Sequence, residues 1–281
     1  MELLDGKLVS KQIKDELKIE VDALKAKFNC VPTLAIVLVG SVEASQIYVR
    51  NKLKASKLVG INANLITLPD TITTEELLRV VNDLNADSNI DGIIVQLPLP
   101  KHVDETAVIN AIQTEKDVDG FGISNKGRLF CGMDAVRSAT PFGIMKLLEA
   151  YHINLTGMNA VVVGRSNIVG KPMAMMLLQE NATVTICHSR TKDLASITRS
   201  ADLLVVAIGK ARFIKADMVK EGAIVVDVGM NRDEAGLCGD VDFEEVAPHT
   251  SYITPVPGGV GPLTIAMLLY NTVSAFKKRH A

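Results

Sequence analysis

The sequence is short of the features that would assign many protein classes at once. Its 281 residues hold 30 Lys plus Arg against 32 Asp plus Glu, a formal net charge of −2. No global field therefore draws the chain to nucleic acid or to an anionic membrane. No apolar run approaches the roughly 18–20 residues that span a bilayer. The start, Met1-Glu2-Leu3-Leu4-Asp5, lacks the basic opening and apolar stretch of a signal peptide. The four cysteines, Cys30, Cys131, Cys187 and Cys238, form no CxxC pair, and the five histidines show no HExxH spacing. Neither a disulfide frame nor a metal site is expected, and the address expected is the reducing cytoplasm. Low-complexity tracts and short repeats are also missing. What remains is an α/β enzyme or small-molecule binder, and 48% apolar residues supply its cores.

Short β-branched runs alternate with helical stretches along the chain. Thr33–Val39, Asn62–Ile66 and Gly92–Leu97 read as buried parallel strands, with helices expected over Val42–Leu58, Thr73–Asp87 and Asp104–Ile112. Val9–Phe28 reads as an opening helix with Ile13, Leu17, Val21 and Leu24 as its apolar stripe. Later strands are expected at Ala160–Val163, Thr183–Cys187, Leu203–Ile208 and Ile224–Val228, and a last helix at Leu263–Lys278. The glycine-bearing stretch Asp117–Pro141 reads as a connection, and Phe142–Tyr151 as the helix that opens the second half. The expected fold is thus two open α/β lobes around a cleft. Residues 1–138 plus about 265–281 form the first, and 139–264 form the second, a Rossmann-like domain. Ligands of such sheets collect at the carboxyl ends of the strands.

In the second lobe, Val161–Met173 reads as strand, glycine turn and helix, the arrangement that offers backbone N–H groups and a helix terminus to phosphate. Ser166 and Val169 stand where GxGxxG needs glycine, so the turn departs from the usual fingerprint. A P-loop fits less well. Five residues separate Gly164 from Gly170, and Pro172 replaces the metal-binding Ser/Thr. A turn that merely packs helix on strand is the bland alternative. The next strand ends in Cys187-His188-Ser189-Arg190 rather than in the acid that binds an NAD ribose. A hydroxyl and a fixed cation suit a 2′-phosphate, with Arg165 in reach of it, so NADP is the expected cofactor. Asp227–Asn231 ends a later strand and reads equally as backbone offered toward the nicotinamide side and as an ordinary strand-end turn.

In the first lobe, Tyr48 and Lys52 share one helical face. The same helix carries Arg50, Lys54 and Lys57, so spacing alone favours a solvated surface lysine at Lys52 and a partly buried packing residue at Tyr48. Gln96 ends a strongly apolar strand and needs a partner, which a nearby lysine would supply. Asp119 sits in Lys116–Phe121, where a carboxylate can accept two parallel hydrogen bonds from a guanidine-like edge. Pro255–Thr264 packs three glycines and three prolines before the last helix, which permits close ligand approach or serves as a hinge.

Together these segments resemble the bifunctional methylenetetrahydrofolate dehydrogenase/methenyltetrahydrofolate cyclohydrolase family. The likeness runs from end to end through YVxxK (Tyr48–Lys52), VQLPLP (Val95–Pro100), KDVDGF (Lys116–Phe121), GRSxxVGxP (Gly164–Pro172) and PGGVGPxT (Pro257–Thr264). The resemblance implies oxidation of 5,10-methylenetetrahydrofolate with NADP+ and hydrolysis of the methenyl product to 10-formyltetrahydrofolate. It implies Lys52 as the proton-transfer group, Gln96 as its holder, Tyr48 stacked on the folate and Asp119 on the pterin edge. Gly258 and Gly259 would shape the folate pocket. Gly164, Arg165, Ser166, Ser189, Arg190 and Met230 would hold the cofactor. It implies a cytoplasmic homodimer in one-carbon metabolism, serving purine and amino-acid biosynthesis. A dehydrogenase without hydrolase activity, or a non-catalytic NADP- or folate-binding module, is the alternative. One departure stands out: Ser138-Ala139 replaces the Pro-Cys common in that family.

Overall fold

Two residues of strand, β1 (Glu2–Leu3), precede the long helix α1 (Gly6–Phe28) in the computed structural model, which describes residues 1–234 and 236–280. Then follow β2 (Thr33–Val39), α2 (Glu43–Val59), β3 (Asn62–Leu68), α3 (Thr74–Ala86), β4 (Gly92–Val95) and α4 (Glu105–Ala111). Side chains set several of these boundaries. Thr73 and Glu76 close a capping box on α3, each side chain accepting from the other's backbone N–H. Asp104 caps α4 by accepting from the N–H of Ala107 at 3.0 Å. Helices α5 (Ile123–Phe130) and α6 (Ala139–Ala150) complete the first half.

The chain divides into two compact units, and one of them comprises Gln12–Ala139 and Ile265–Ala281. Its sheet is parallel throughout, in the order β3-β2-β4. Alternation along β2 splits the core. Leu34, Ile36 and Leu38 pack with Leu17, Val21, Val49, Leu268 and Val273, while Ala35, Val37 and Val39 pack with Leu77, Val81 and Val108. β2 is buried at every position, as a central parallel strand should be. β3 is not buried as expected: it forms the edge, pairs only with β2, and leaves Leu65 43% exposed.

The other unit comprises Met1–Lys11 and Thr140–Thr264. It contains β5 (Asn159–Val163), α7 (Gly170–Gln179), β6 (Thr183–Cys187), α8 (Leu194–Thr198), β7 (Leu203–Val206) and β8 (Ala223–Asp227). A short antiparallel hairpin, β9 (Asn231–Asp233) with β10 (Gly236–Cys238), follows, then α9 (Phe243–Val246) and β11 (Thr250–Ile253). The last helix, α10 (Val260–Arg279), runs on beyond this unit's end at Thr264. The six-stranded sheet is parallel, in the order β1-β11-β8-β7-β5-β6. Strand order reverses at β5, between β6 on one side and β7 on the other. That reversal is where doubly wound sheets bind dinucleotides.

The first eleven residues therefore group with this sheet rather than with the first lobe, where they were expected. The reason is backbone pairing: β1 lies beside β11, and the N–H of Leu4 donates to the carbonyl of Ile253 at 2.9 Å. None of the described helices is long and apolar enough to cross a membrane.

Candidate active site

Helical spacing on α2 sets Tyr48 and Lys52 one turn apart, and Lys52 is only 8% exposed. Its ammonium donates to Oε1 of Gln96 at 3.1 Å. Gln96 follows directly after β4, and its backbone N–H still pairs with Val37 at 2.8 Å, so the side chain stands at the carboxyl end of the sheet. Its own amide is fixed as well, since Nε2 donates to the carbonyl of Leu97 at 2.7 Å. That bond leaves the amide carbonyl facing the lysine.

Burial pushes the Lys52 pKa down, and the charge of Asp119 pulls it part of the way back. Burial pushes Asp119 up, against the pull of Lys52 and together with the nearby charge of Asp117. The amine and the carboxyl thus each sense the other's charge in a site largely removed from water. Tyr48 is 39% exposed, and the burial of its phenol end raises its pKa.

The turn that carries Asp119 is tied down from three sides. Asp117, 1% exposed, accepts from the backbone N–H groups of Phe121 (3.2 Å) and Gly122 (2.8 Å) and from the Asn125 amide (2.9 Å). Asn271 of α10 donates to the carbonyls of Val118 (2.8 Å) and Arg137 (3.0 Å). The Ser138 hydroxyl donates to the carbonyl of Gly120 at 3.1 Å. Gly120 has φ +68°, and a Cβ there would sit 2.8 Å from the Ser138 nitrogen, so the turn accepts glycine alone. The residue that departs from the family pattern, Ser138, is thus buried and bonded beside the Asp119 turn.

The second group of residues lines the carboxyl edge of the six-stranded sheet. Gly164 follows β5 with φ +138°, and a Cβ on it would lie 2.4 Å from the Ala207 carbonyl oxygen. The close approach of the β5 turn to the end of β7 therefore requires glycine. Arg165 and Ser166 are exposed on the same turn, and the Ser166 hydroxyl accepts from the N–H groups of Val169 (3.1 Å) and Gly170 (3.2 Å). Ser189 and Arg190 are exposed in the turn after β6, which closes through the N–H of His188 to Thr191 Oγ1 at 2.9 Å. Met230, 50% exposed, stands after β8. No carboxylate ends β6, in keeping with room for a 2′-phosphate. Gly258 and Gly259 are buried after β11, with the N–H of Lys7 donating to the Gly258 carbonyl at 3.0 Å.

Comparison with known proteins places both halves of the chain in one family. A family model described as "Tetrahydrofolate dehydrogenase/cyclohydrolase, catalytic domain" matches residues 4–119, and "Tetrahydrofolate dehydrogenase/cyclohydrolase, NAD(P)-binding domain" matches residues 138–280. The chain belongs to the tetrahydrofolate dehydrogenase/cyclohydrolase family. A relative from Campylobacter concisus (strain 13826), "Bifunctional protein FolD", is 57% identical over 100% of this chain and 99% of its own. The solved bifunctional FolD enzyme from Campylobacter jejuni superposes with a TM-score of 0.98 at 53% identity, covering 99% of both chains. A Trypanosoma brucei FolD solved with NADP cofactor and inhibitor gives 0.94 at 39% identity, over 98% of this chain and 96% of that one.

Within this family member, Tyr48, Lys52, Gln96 and Asp119 fall in one unit, and Gly164, Arg165, Ser166, Ser189, Arg190, Met230, Gly258 and Gly259 in the other. Sequence reasoning passed over Asp117, Asn125 and Asn271. Asp117 lies inside the quoted KDVDGF motif, and Asn271 is an amide in a largely apolar helix, a signal of a buried partner.

Proposed function

We propose that the chain oxidises 5,10-methylenetetrahydrofolate to the 5,10-methenyl compound with NADP+, then hydrolyses that product to 10-formyltetrahydrofolate. The observation that carries the hydrolytic half is the buried Lys52 amine bonded to Gln96 at 3.1 Å, with the Asp119 charge acting on it. A solvated lysine would have neither.

Asp119 pairs with the 2-amino and ring N–H edge of the pterin, and Tyr48 orients the rings and the aminobenzoyl group. The residues of the carboxyl edge fit a dinucleotide. The turn at Gly164 leaves the space a Cβ would fill, and Arg165 in that turn and Arg190 beside Ser189 after β6 are exposed cations. Gly164 and Ser166 would meet the pyrophosphate, Arg165, Ser189 and Arg190 the 2′-phosphate, and Met230 the nicotinamide side. When bound, NADP+ accepts the hydride leaving the bridging carbon of the folate. Orientation of the two partners does most of the work in that step.

In the second step water adds to the methenyl carbon. The neutral Lys52 amine takes one proton from that water, and Gln96 holds the resulting ammonium. Lys52 returns that proton to N5 as the carbon–N5 bond breaks, while the proton of the remaining hydroxyl leaves to solvent as the formyl C=O forms. The lowered pKa of Lys52 serves this cycle, because more of the amine is neutral near physiological pH. The reading extends to a cytoplasmic homodimer in one-carbon metabolism that serves purine and amino-acid biosynthesis. A pairing surface on the cofactor unit is supported by the outer edge of β6, where Ile186 is 38% exposed.

The test is a two-signal assay on the purified protein with methylenetetrahydrofolate and NADP+. NADPH absorbance should rise, and the methenyl chromophore should then decay faster than without protein. Formation of NADPH without catalysed decay would leave a dehydrogenase alone.

A further inference from the structure

Two buried carboxylates stand at the carboxyl edge of the six-stranded sheet, and the chemistry above uses neither. Asp227 ends β8 and is 4% exposed; Asp240 follows β10 and is 0% exposed. A carboxylate removed from water needs a cation or several N–H donors.

Asp240 has the donors. Its Oδ2 accepts from the backbone N–H groups of Ile208 (2.7 Å) and Gly209 (3.0 Å). Its Oδ1 accepts from the N–H of Lys210 (2.7 Å) and from the side-chain amide of Asn231 (2.9 Å). Three successive N–H groups converging on one anion form a nest, the geometry that elsewhere receives phosphate. Here the protein fills it with its own side chain. Asp240 is itself anchored by Asp227. One oxygen of Asp227 accepts from the N–H groups of Gly229 and Asp240, and the other from Val241, each at 2.9 Å.

One side chain thus ties the loop after β7 to Asn231, the first residue of β9, which directly follows the loop after β8. The first begins with Ala207, whose carbonyl oxygen lies against Gly164 of the phosphate turn. The loop after β8 carries Met230. β7 is also the neighbour of β5 at the point where strand order reverses. We propose that Asp240 is a positioning residue for the dinucleotide: it holds the loops after β7 and β8 in the arrangement that receives the nicotinamide end. It touches no cofactor itself. The inference rests on the NADP reading given above.

The test is Asp240→Asn in the full chain, with Asn231→Ala beside it. The asparagine keeps the shape but turns one acceptor oxygen into an NH2 that faces N–H donors, so in either orientation the loop after β7 loses part of its anchorage. KM for NADP+ and its dissociation constant should rise about tenfold or more. The loss should be confined to the cofactor step, so the ratio of methenyl hydrolysis to NADP+ reduction at low NADP+ rises by about the same factor. A residue needed only for folding would depress both steps together. Asn231→Ala leaves the buried charge and its three backbone bonds in place, and should raise KM for NADP+ about tenfold, the lower end for one lost hydrogen bond to a charged group. It decides the matter if Asp240→Asn does not fold. Wild-type NADP+ affinity in the folded variants overturns this inference alone. A wild type that neither binds nor reduces NADP+ overturns the cofactor reading, and this inference with it.

Discussion

Exchanging Gln96 for alanine or for glutamate should move the proton affinity of Lys52 in opposite directions. In the alanine variant the buried ammonium loses the acceptor that stands 3.1 Å from Nζ. A hydrogen bond to a charged group is worth about 1.5–3 kcal/mol, and each 1.36 kcal/mol is about one pKa unit, so the Lys52 pKa falls by roughly 1–2 units. In the glutamate variant a carboxylate takes the same place. Opposite charges at that distance attract by about 5 kcal/mol at an effective dielectric of about 20, which raises the pKa by up to about 4 units. If the neutral amine takes the proton from water, the acid limb of the pH profile tracks these shifts. The assay is kcat/KM for methenyl hydrolysis against pH, which reports the free enzyme. Gln96→Ala should extend activity toward acid, and Gln96→Glu should withdraw it toward base. Both limbs moving the same way, or neither moving while hydrolysis is still measurable, would refute the pairing as the source of Lys52's tuning.

Three further outcomes follow from the same structure. Asp119→Ala should raise KM for both folate substrates about tenfold or more, through loss of paired charge-assisted hydrogen bonds, and unchanged values in steady-state assays would remove Asp119 from the pterin edge. Arg190→Ala should weaken NADP+ by about ten- to a hundredfold while leaving NAD+ use nearly unaltered; an equal effect on both dinucleotides contradicts a 2′-phosphate contact. Asp227 is raised from 3.8 to about 6, by burial first and by the charge of Asp240, against three backbone N–H bonds. A folded-state pKa above the unfolded one favours the fold at low pH, a contribution full below about 3.8 and lost as pH rises through about 6. Relative to Asp227→Asn, the wild type should therefore lose roughly 3 kcal/mol between those limits, measured by urea unfolding at several pH values, and a flat difference would contradict it.

Parallel strands that are compact β-branched runs were legible: Thr33–Val39 and Thr183–Cys187 lie where pattern places them. Elements without such runs were not. β1 is two residues long, far below any periodicity, and its partner β11 sits beside a proline-rich stretch. α5 spans eight residues with Gly127 inside it and buries only Asn125 and Leu129, so the connection around it reads as featureless. At the site, Gln96 stood out as a glutamine ending an apolar strand, whereas Lys52 did not, because its helix also carries Arg50, Lys54 and Lys57 and only the family resemblance singled it out; 44 positions separate the two. Asp240 gave no sign, because its donors are backbone N–H groups, which no side-chain pattern announces.

Lys52→Met bears most directly on the central claim. In the two-signal assay, NADPH should still form from methylenetetrahydrofolate, while decay of the methenyl chromophore should slow by about a hundredfold or more, the usual span of a lost proton-transfer group. Hydrolysis at the wild-type rate in that variant would contradict the assignment of Lys52 and with it the mechanism.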